Sequence, residues 1–329
     1  MKALVVPDSN CHSIKDLQIM DTSVPTVKDN QVLVKVHAVG LNPVDYKIVK
    51  SGIDSWIYPH PLGLDVAGEI VAVGSLVNDW QVGDRVSGDG NLFKAGCFAE
   101  YVSVPEYQLA KLPENVSYEQ VAALLCGALT AYTAINRKPN LTNVQTVLVH
   151  GGAGSVGSLA IQFAQLHGLQ VLTTVSTKKI PFVRQLNPDV IIDYQSENVD
   201  QKIANFTNGR GVDLIIDTVG KTESERDLHR LAYNGTLVTI VDVPEIDQNL
   251  MFDHALNLAT VNLGGAHGSD NPFQQADLGH MNAEVLALLS EGKIDPLIER
   301  VLSFDEIKHG LQLIKDHRVT GKLVAKVTD

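Results

Sequence analysis

The chain has 329 residues, of which 44% are hydrophobic, and a formal net charge of −12. That length suggests two domains with well-filled cores, and the acidic balance excludes broad nucleic-acid binding. Cys11, Cys97 and Cys126 are too scattered for a disulfide framework or a C-x-x-C pair, which points to a reducing compartment. MKALVVPDSN carries no secretory leader and no segment approaches the roughly 20 apolar residues of a membrane span, so a cytoplasmic protein is expected.

Residues 1 to about 121 alternate short strand patterns with Gly, Pro and Asn-Asp punctuation. The strands are read at Ala3–Val6, Gln31–Val39, Val66–Val73, Arg85–Val86 and Ala99–Val104, which together suggest a mostly-β, barrel-like domain. From 122 to about 267 strand and helix alternate, as in a doubly wound α/β fold with a parallel sheet. Strands are predicted at Thr146–Val149, Val171–Val175, Val190–Ile192, Val212–Gly220 and Thr236–Val241, with a last one near Thr260–Leu263. Beyond 268 a helix over Met281–Ser290, another near 305–315 and a closing strand Leu323–Val327 return to the texture of the first part. The expected organisation is a catalytic domain of residues 1–121 and 268–329, with a dinucleotide-binding domain of residues 122–267 inserted.

The densest chemical signal lies between the first two strands of the inserted domain. Gly152, Gly154 and Gly157 have G-x-G-x-x-G spacing in a strand–turn–helix context, with Ser155 and Val156 opening the helix. Glycines there allow a sharp turn, a close pyrophosphate and tight helix packing, and the free N–H groups of the helix start hold phosphate. At the end of the second strand, where an NAD site usually carries a carboxylate, the chain has Ser176, Thr177, Lys178 and Lys179. A hydroxyl and two ammonium groups suit a 2′-phosphate, so NADPH is the expected cofactor; the alternative is a capped, solvated helix start. Ligands of such sheets bind at the carboxyl ends of the strands, which places Val219, Val241 and Leu263–Gly265 along the groove.

Several motifs in order resemble a known family: Asn42-Pro43-Val44-Asp45-Tyr46-Lys47, Gly63-Leu64-Asp65-Val66-Ala67-Gly68, Gly127-Ala128-Leu129-Thr130-Ala131-Tyr132, the glycine turn, Ser176–Lys179 and Ile192-Asp193-Tyr194. The chain resembles the medium-chain dehydrogenase/reductase superfamily over essentially its whole length, specifically its zinc-independent quinone oxidoreductase (zeta-crystallin-like) branch. The resemblance implies a Rossmann domain joined to a GroES-like domain formed from both chain ends. Zinc alcohol dehydrogenases of the superfamily hold their catalytic metal with a Cys, a His–Glu pair and a second Cys. Asn42, Leu64–Asp65 and Cys126 stand at those positions here, and one thiol cannot supply the three protein ligands of a catalytic zinc. Cys97 stands alone where the structural-zinc lobe has four cysteines, and His37, His60 and His150 form no ligand pair. No metal is therefore expected.

Without a Lewis acid, hydride transfer from a nicotinamide suits easily reduced acceptors such as quinones or α,β-unsaturated carbonyls. By resemblance, Asn42 and Tyr46 line the substrate pocket, with Tyr46 the proton or hydrogen-bond donor, and Thr130 contacts the nicotinamide. Ser176, Lys179 and Tyr194 surround the 2′-phosphate, and Arg318 matches an arginine that reaches it in some relatives. The residue-level alternatives stay open: Tyr46 as a packing tyrosine, Asn42 as an Asn-Pro turn former, Arg318 as a helix-end charge, and Cys126 as a buried hydrophobe rather than a reactive thiol. Trp56, Tyr58 and Phe93 read equally as substrate walls or loop anchors. The competing functions are a reductase of enoyl thioesters or other carbonyls, and a non-enzymatic NADPH-binding protein. Superfamily members commonly pair through the last strand of the dinucleotide domain, so a homodimer built near Val261 and Leu263 is expected.

Overall fold

In the computed structural model, which describes residues 1–328, the chain forms two compact units. One joins Met1–Leu129 to Leu263–Asp329, and the other is Thr130–Asn262. No helix among the described residues is long and apolar enough to cross a membrane.

The unit made from the chain ends is built on seven strands. Six follow the order Ile298–Leu302, Lys322–Lys326, Gln31–Gly40, Asp65–Val73, Arg85–Asp89 and Leu109–Lys111, and Tyr101–Pro105 also pairs with Gln31–Gly40. Strict alternation of apolar residues along Gln31–Gly40 buries Val32, Val34, Val36 and Ala38 completely. Val32, Val34 and Val36 pack with Val66, Ile70, Val86, Val102 and Leu323 in one core. Register brings distant residues side by side: Gly40 faces Val324 on one neighbouring strand and Asp65 on the other, and Asp65 in turn faces Asp89. A second, three-stranded sheet joins Gln18–Asp21, Lys2–Val6 and His60–Pro61.

The Thr130–Asn262 unit holds a six-stranded, all-parallel sheet. Its order is Val190–Asp193, Gln170–Val175, Thr146–Val149, Val212–Asp217, Leu231–Thr239, Asn257–Thr260. Thr146–Val149 sits where the strand order reverses and is buried along its whole length, which is why it reads as an unbroken apolar run rather than an alternating one. The helix that follows, Ser155–Leu166, buries Leu159, Ala160, Phe163 and Ala164 on one face. It stops at Gly168, whose φ of +71° takes the left-handed conformation that ends helices.

Two elements differ from the sequence expectation. The last strand is Asn257–Thr260, and Leu263 opens a short helix, Leu263–Gly268, in the other unit. Val261 still donates its N–H to the Thr239 carbonyl and is 7% exposed. The helix expected at Met281–Ser290 begins nine residues earlier, at Pro272. Asn271 caps it through the N–H groups of Phe273 and Gln274, and Phe273 faces solvent, so its first turns carry no apolar period for a sequence reading to detect.

Candidate active site

In the parallel-sheet unit, each glycine of the turn meets a different constraint. A methyl group at Gly152 would overlap the Thr173 hydroxyl, and one at Gly157 would overlap the Gly151 carbonyl beneath the helix. Gly154 is open: its nearest neighbour, the Gly151 carbonyl, lies 3.5 Å from where a Cβ would be. The positive φ that makes the turn sharp belongs to Gly151 (+68°), outside the three spaced glycines. Ser155 and Val156 start the helix, and the Ser155 hydroxyl oxygen is buried without a partner. An open backbone at Gly154, an unpartnered hydroxyl and the free N–H groups of a 12-residue helix fit a phosphate group.

Beside this turn, Val175 pairs with Asp193 in the sheet, so Ser176 and Tyr194 leave adjacent strands together. Tyr194 is 56% exposed, Ser176 and Lys179 are partly exposed, and Thr177 and Lys178 are exposed. The corner also contains a carboxylate that does not belong to the Gln170–Val175 strand end. Asp193, from the neighbouring strand, accepts the Thr177 hydroxyl at 2.5 Å, the Ser196 hydroxyl at 2.9 Å and the Gln195 N–H at 3.1 Å. These bonds, led by that from Thr177, hold its pKa below the usual carboxylate value. Asp193 is turned into the corner's own scaffold and is 6% exposed. Along the same carboxyl ends, Val219 and Val241 are 57% and 43% exposed. Asp217 accepts the N–H groups of Val219 and Gly220 and so fixes the turn that presents Val219.

A buried polar cluster lies under the same turn. His150 bonds the Thr174 hydroxyl through Nδ1 at 2.9 Å and Asp227 through Nε2 at 2.9 Å, while Arg230 reaches Asp227, Glu223 and Asp200. Burial opposes a charge on His150, but Asp227, with Asp217 and Glu223 behind it, outweighs burial and raises its pKa. The Thr174 hydroxyl also accepts the Gly151 N–H at 3.3 Å, so the imidazole braces the glycine turn from below. His150 is thus buried with both ring nitrogens engaged. His37 stacks on Tyr118, and His60 stacks on Trp56 with burial pushing its pKa down to about 4.

In the unit made from the chain ends, Asn42 caps the Pro43–Ser51 helix and is 3% exposed. Its amide is occupied at both ends: Nδ2 donates to Asp65 Oδ2 at 2.9 Å, and Oδ1 accepts from Lys322 Nζ at 2.6 Å. Lys322 also donates to Asp65 Oδ2 at 2.8 Å, and Asp65 Oδ1 accepts the Cys126 N–H at 2.9 Å. Gly40 makes room for this ion pair, since a methyl group there would overlap the Ala122 carbonyl and crowd both Asp65 and Lys322. Burial, then the Asp65 charge, raises the Asp45 carboxyl to about 8 and the Asp89 carboxyl well above its ordinary value. Three buried carboxyls thus stand near one ammonium, and burial beside Asp65 favours the protonated forms of Asp45 and Asp89.

Tyr46, on the same helix, is partly buried against the core, and its hydroxyl bonds to no described residue; burial raises its pKa. Trp56 is 6% exposed and donates its ring N–H to the Leu92 carbonyl at 2.8 Å, which makes it a loop anchor, whereas Phe93 is 40% exposed. Thr130 is 7% exposed and is the first residue of the parallel-sheet unit. Arg318 is exposed, just past the Ile307–Lys315 helix, in the unit made from the chain ends.

Residues 28–114 match the alcohol dehydrogenase GroES-like domain, and residues 186–324 match the family described as zinc-binding dehydrogenase. A quinone oxidoreductase of Pseudomonas aeruginosa is 36% identical over 305 residues, covering 89% of this chain and 90% of that one. The chain belongs to the quinone oxidoreductase branch of the medium-chain dehydrogenase/reductase superfamily. The 2-methylene-furan-3-one reductase of Solanum lycopersicum is 31% identical over 336 residues, covering 98% of this oxidoreductase and 78% of the relative. The solved quinone oxidoreductase of Coxiella burnetii superposes with a TM-score of 0.80 at 31% identity, covering 100% and 99% of the two chains. Oxidoreductases of this superfamily use nicotinamide cofactors.

The name of the second matched family implies zinc, and the residues of this oxidoreductase do not fit that ion. Around Asp65 the donors are two carboxylates and one thiol, no imidazole joins them among the described residues, and the Lys322 ammonium already bonds Asp65. Burial, then Asp89 and Asp65, pushes the Cys126 thiol well above its ordinary value, away from the thiolate that a metal requires.

Proposed function

We propose that the chain is an NADPH-dependent oxidoreductase that transfers hydride to a quinone or an α,β-unsaturated carbonyl compound without zinc. The observation that carries this reading is the Asp65 cluster, where an internal ammonium stands among the donors and no Lewis acid is provided for. Chemistry resting on hydrogen bonds suits acceptors that take hydride readily. The names of the relatives, quinone oxidoreductases and a 2-methylene-furan-3-one reductase, support the same acceptor class.

When bound, the nicotinamide supplies the hydride. Gly152, Gly154, Ser155, Val156 and Gly157 hold the pyrophosphate through backbone N–H groups and the Ser155 hydroxyl. Ser176, Lys179 and Tyr194 hold the 2′-phosphate, and Val219, Val241 and Thr130 line the rest of the cofactor. Tyr46 donates a hydrogen bond or proton to the acceptor oxygen from its unpartnered hydroxyl. Asn42, pinned by Lys322 and Asp65, keeps one amide N–H for the same oxygen.

A panel of benzoquinones, enones and enoyl thioesters, followed by NADPH absorbance, tests the proposal. Turnover fastest with quinones or enones supports it. Turnover confined to enoyl thioesters would shift the substrate class, and binding of NADPH with no turnover would favour a non-enzymatic role. We further propose a cytoplasmic homodimer joined through the edge strand Asn257–Thr260; a monomeric mass by light scattering rejects the dimer.

A further inference from the structure

In the parallel-sheet unit His150, Thr174 and Asp227 are all buried, and none of them has a part in the reaction proposed above. His150 nevertheless ties together the carboxyl ends of three neighbouring strands. Its backbone carbonyl accepts the hydroxyl of Thr218, the residue that follows Val212–Asp217, at 2.8 Å. Its ring joins Thr174 of Gln170–Val175 to Asp227 of the Lys221–Arg230 helix, with 2.9 Å on each side.

Thr174 in turn holds the first two N–H groups of the glycine turn. Gly151 donates to its hydroxyl at 3.3 Å and Gly152 to its carbonyl at 3.1 Å. The Gly151 carbonyl accepts the Gly154 N–H at 2.9 Å and lies 2.3 Å from where a Cβ on Gly157 would be. The setting of Gly151 is therefore passed on to both glycines at the helix start.

A hydroxyl turns freely about its C–O bond, so Thr174 keeps a lone pair on Gly151 only while a second partner fixes it. The imidazole is that partner in either charge state. When neutral, with its Nε2 hydrogen on Asp227, it accepts the Thr174 hydroxyl at Nδ1. When protonated, it donates from Nδ1 to the Thr174 oxygen and leaves the other lone pair for Gly151.

We infer that His150 is a positioning residue for the cofactor pyrophosphate, acting through Thr174 on Gly151 while Asp227 holds the ring. The inference rests on the dinucleotide reading of the turn. It concerns the pyrophosphate alone and stands whichever acceptor the enzyme reduces.

Calorimetric titration of the wild type, His150→Phe, Thr174→Val and the double variant tests it. The ligands are NADPH, NADH and adenosine 2′-phosphate, which lacks the pyrophosphate. Each single variant is expected to weaken NADPH and NADH alike, about tenfold, and to leave adenosine 2′-phosphate unchanged. The double variant is expected to lose no more than either single one, because both substitutions break the same contact. With benzoquinone as acceptor, the loss is expected in KM for NADPH rather than in kcat.

Unchanged dinucleotide affinity in a single variant, an equal loss for adenosine 2′-phosphate, or additive losses in the double variant overturns the inference. Should His150→Phe fail to fold, Thr174→Val exchanges only a hydroxyl for a methyl, and full affinity in that variant overturns the inference by itself. A wild type that binds neither dinucleotide overturns the cofactor reading and this inference with it. A wild type that binds them as tightly as its variants do overturns this inference alone.

Discussion

Asp45 shows how one residue carries the cost of this interior. One carboxyl oxygen accepts the Asn42 N–H at 2.7 Å and the other is buried without a partner, so the group holds its proton up to about pH 8. An unfolded chain releases that proton near the ordinary value of 3.8, so the native state binds more protons across the window between the two values and loses stability as pH rises through it. Asp45→Asn keeps an acceptor for the Asn42 N–H and removes the titration. Its stability relative to wild type is expected to improve by on the order of 1 kcal/mol per pH unit between pH 5 and 7.5, read from urea midpoints. A constant difference across that range would place the proton elsewhere. On the same helix, Tyr46→Phe is expected to lower kcat on the order of 100-fold while leaving NADPH affinity unchanged, because only the hydroxyl is lost. Unchanged turnover would reduce Tyr46 to packing.

Among elements, the proposed preference for NADPH rests on the corner formed by the ends of Gln170–Val175 and Val190–Asp193. Lys179→Ala is expected to weaken NADPH binding about tenfold and leave NADH binding nearly unchanged, measured by calorimetric titration. Equal losses for both would remove Lys179 from phosphate recognition. This corner also marks the limit of what the sequence discloses. Ser176 to Lys179 could be read directly, since strand, turn and helix are local patterns, but Asp193 could not be placed beside Thr177 until the two strands were paired. The Asp65 cluster was hidden for the same reason. Lys322 and Asp65 are 257 positions apart and meet only through the register that lines up Val324, Gly40, Asp65 and Asp89. His150 and Asp227, 77 positions apart, carry no shared pattern either. The end strand failed for a different reason: the strand stops at Thr260, and after Val261 and Asn262 the chain enters a short helix at Leu263.

At the level of the whole molecule, each unit handles buried charge by providing its own cation. Arg230 is set among Asp200, Glu223 and Asp227 in the parallel-sheet unit, and Lys322 beside Asp65 in the other. Breaking such a pair by removing one partner typically costs about 3–5 kcal/mol, which makes the lysine a structural part of the fold as well as an electrostatic one. In the proposed reaction the glycine turn and its basic corner hold the cofactor. The most direct measurement is the rate at which chelator-treated protein oxidises NADPH and, separately, NADH with benzoquinone as acceptor. The account predicts full activity after chelation and kcat/KM for NADPH at least about tenfold above that for NADH. Activity lost on chelation and restored by zinc, or equal use of the two cofactors, would contradict it.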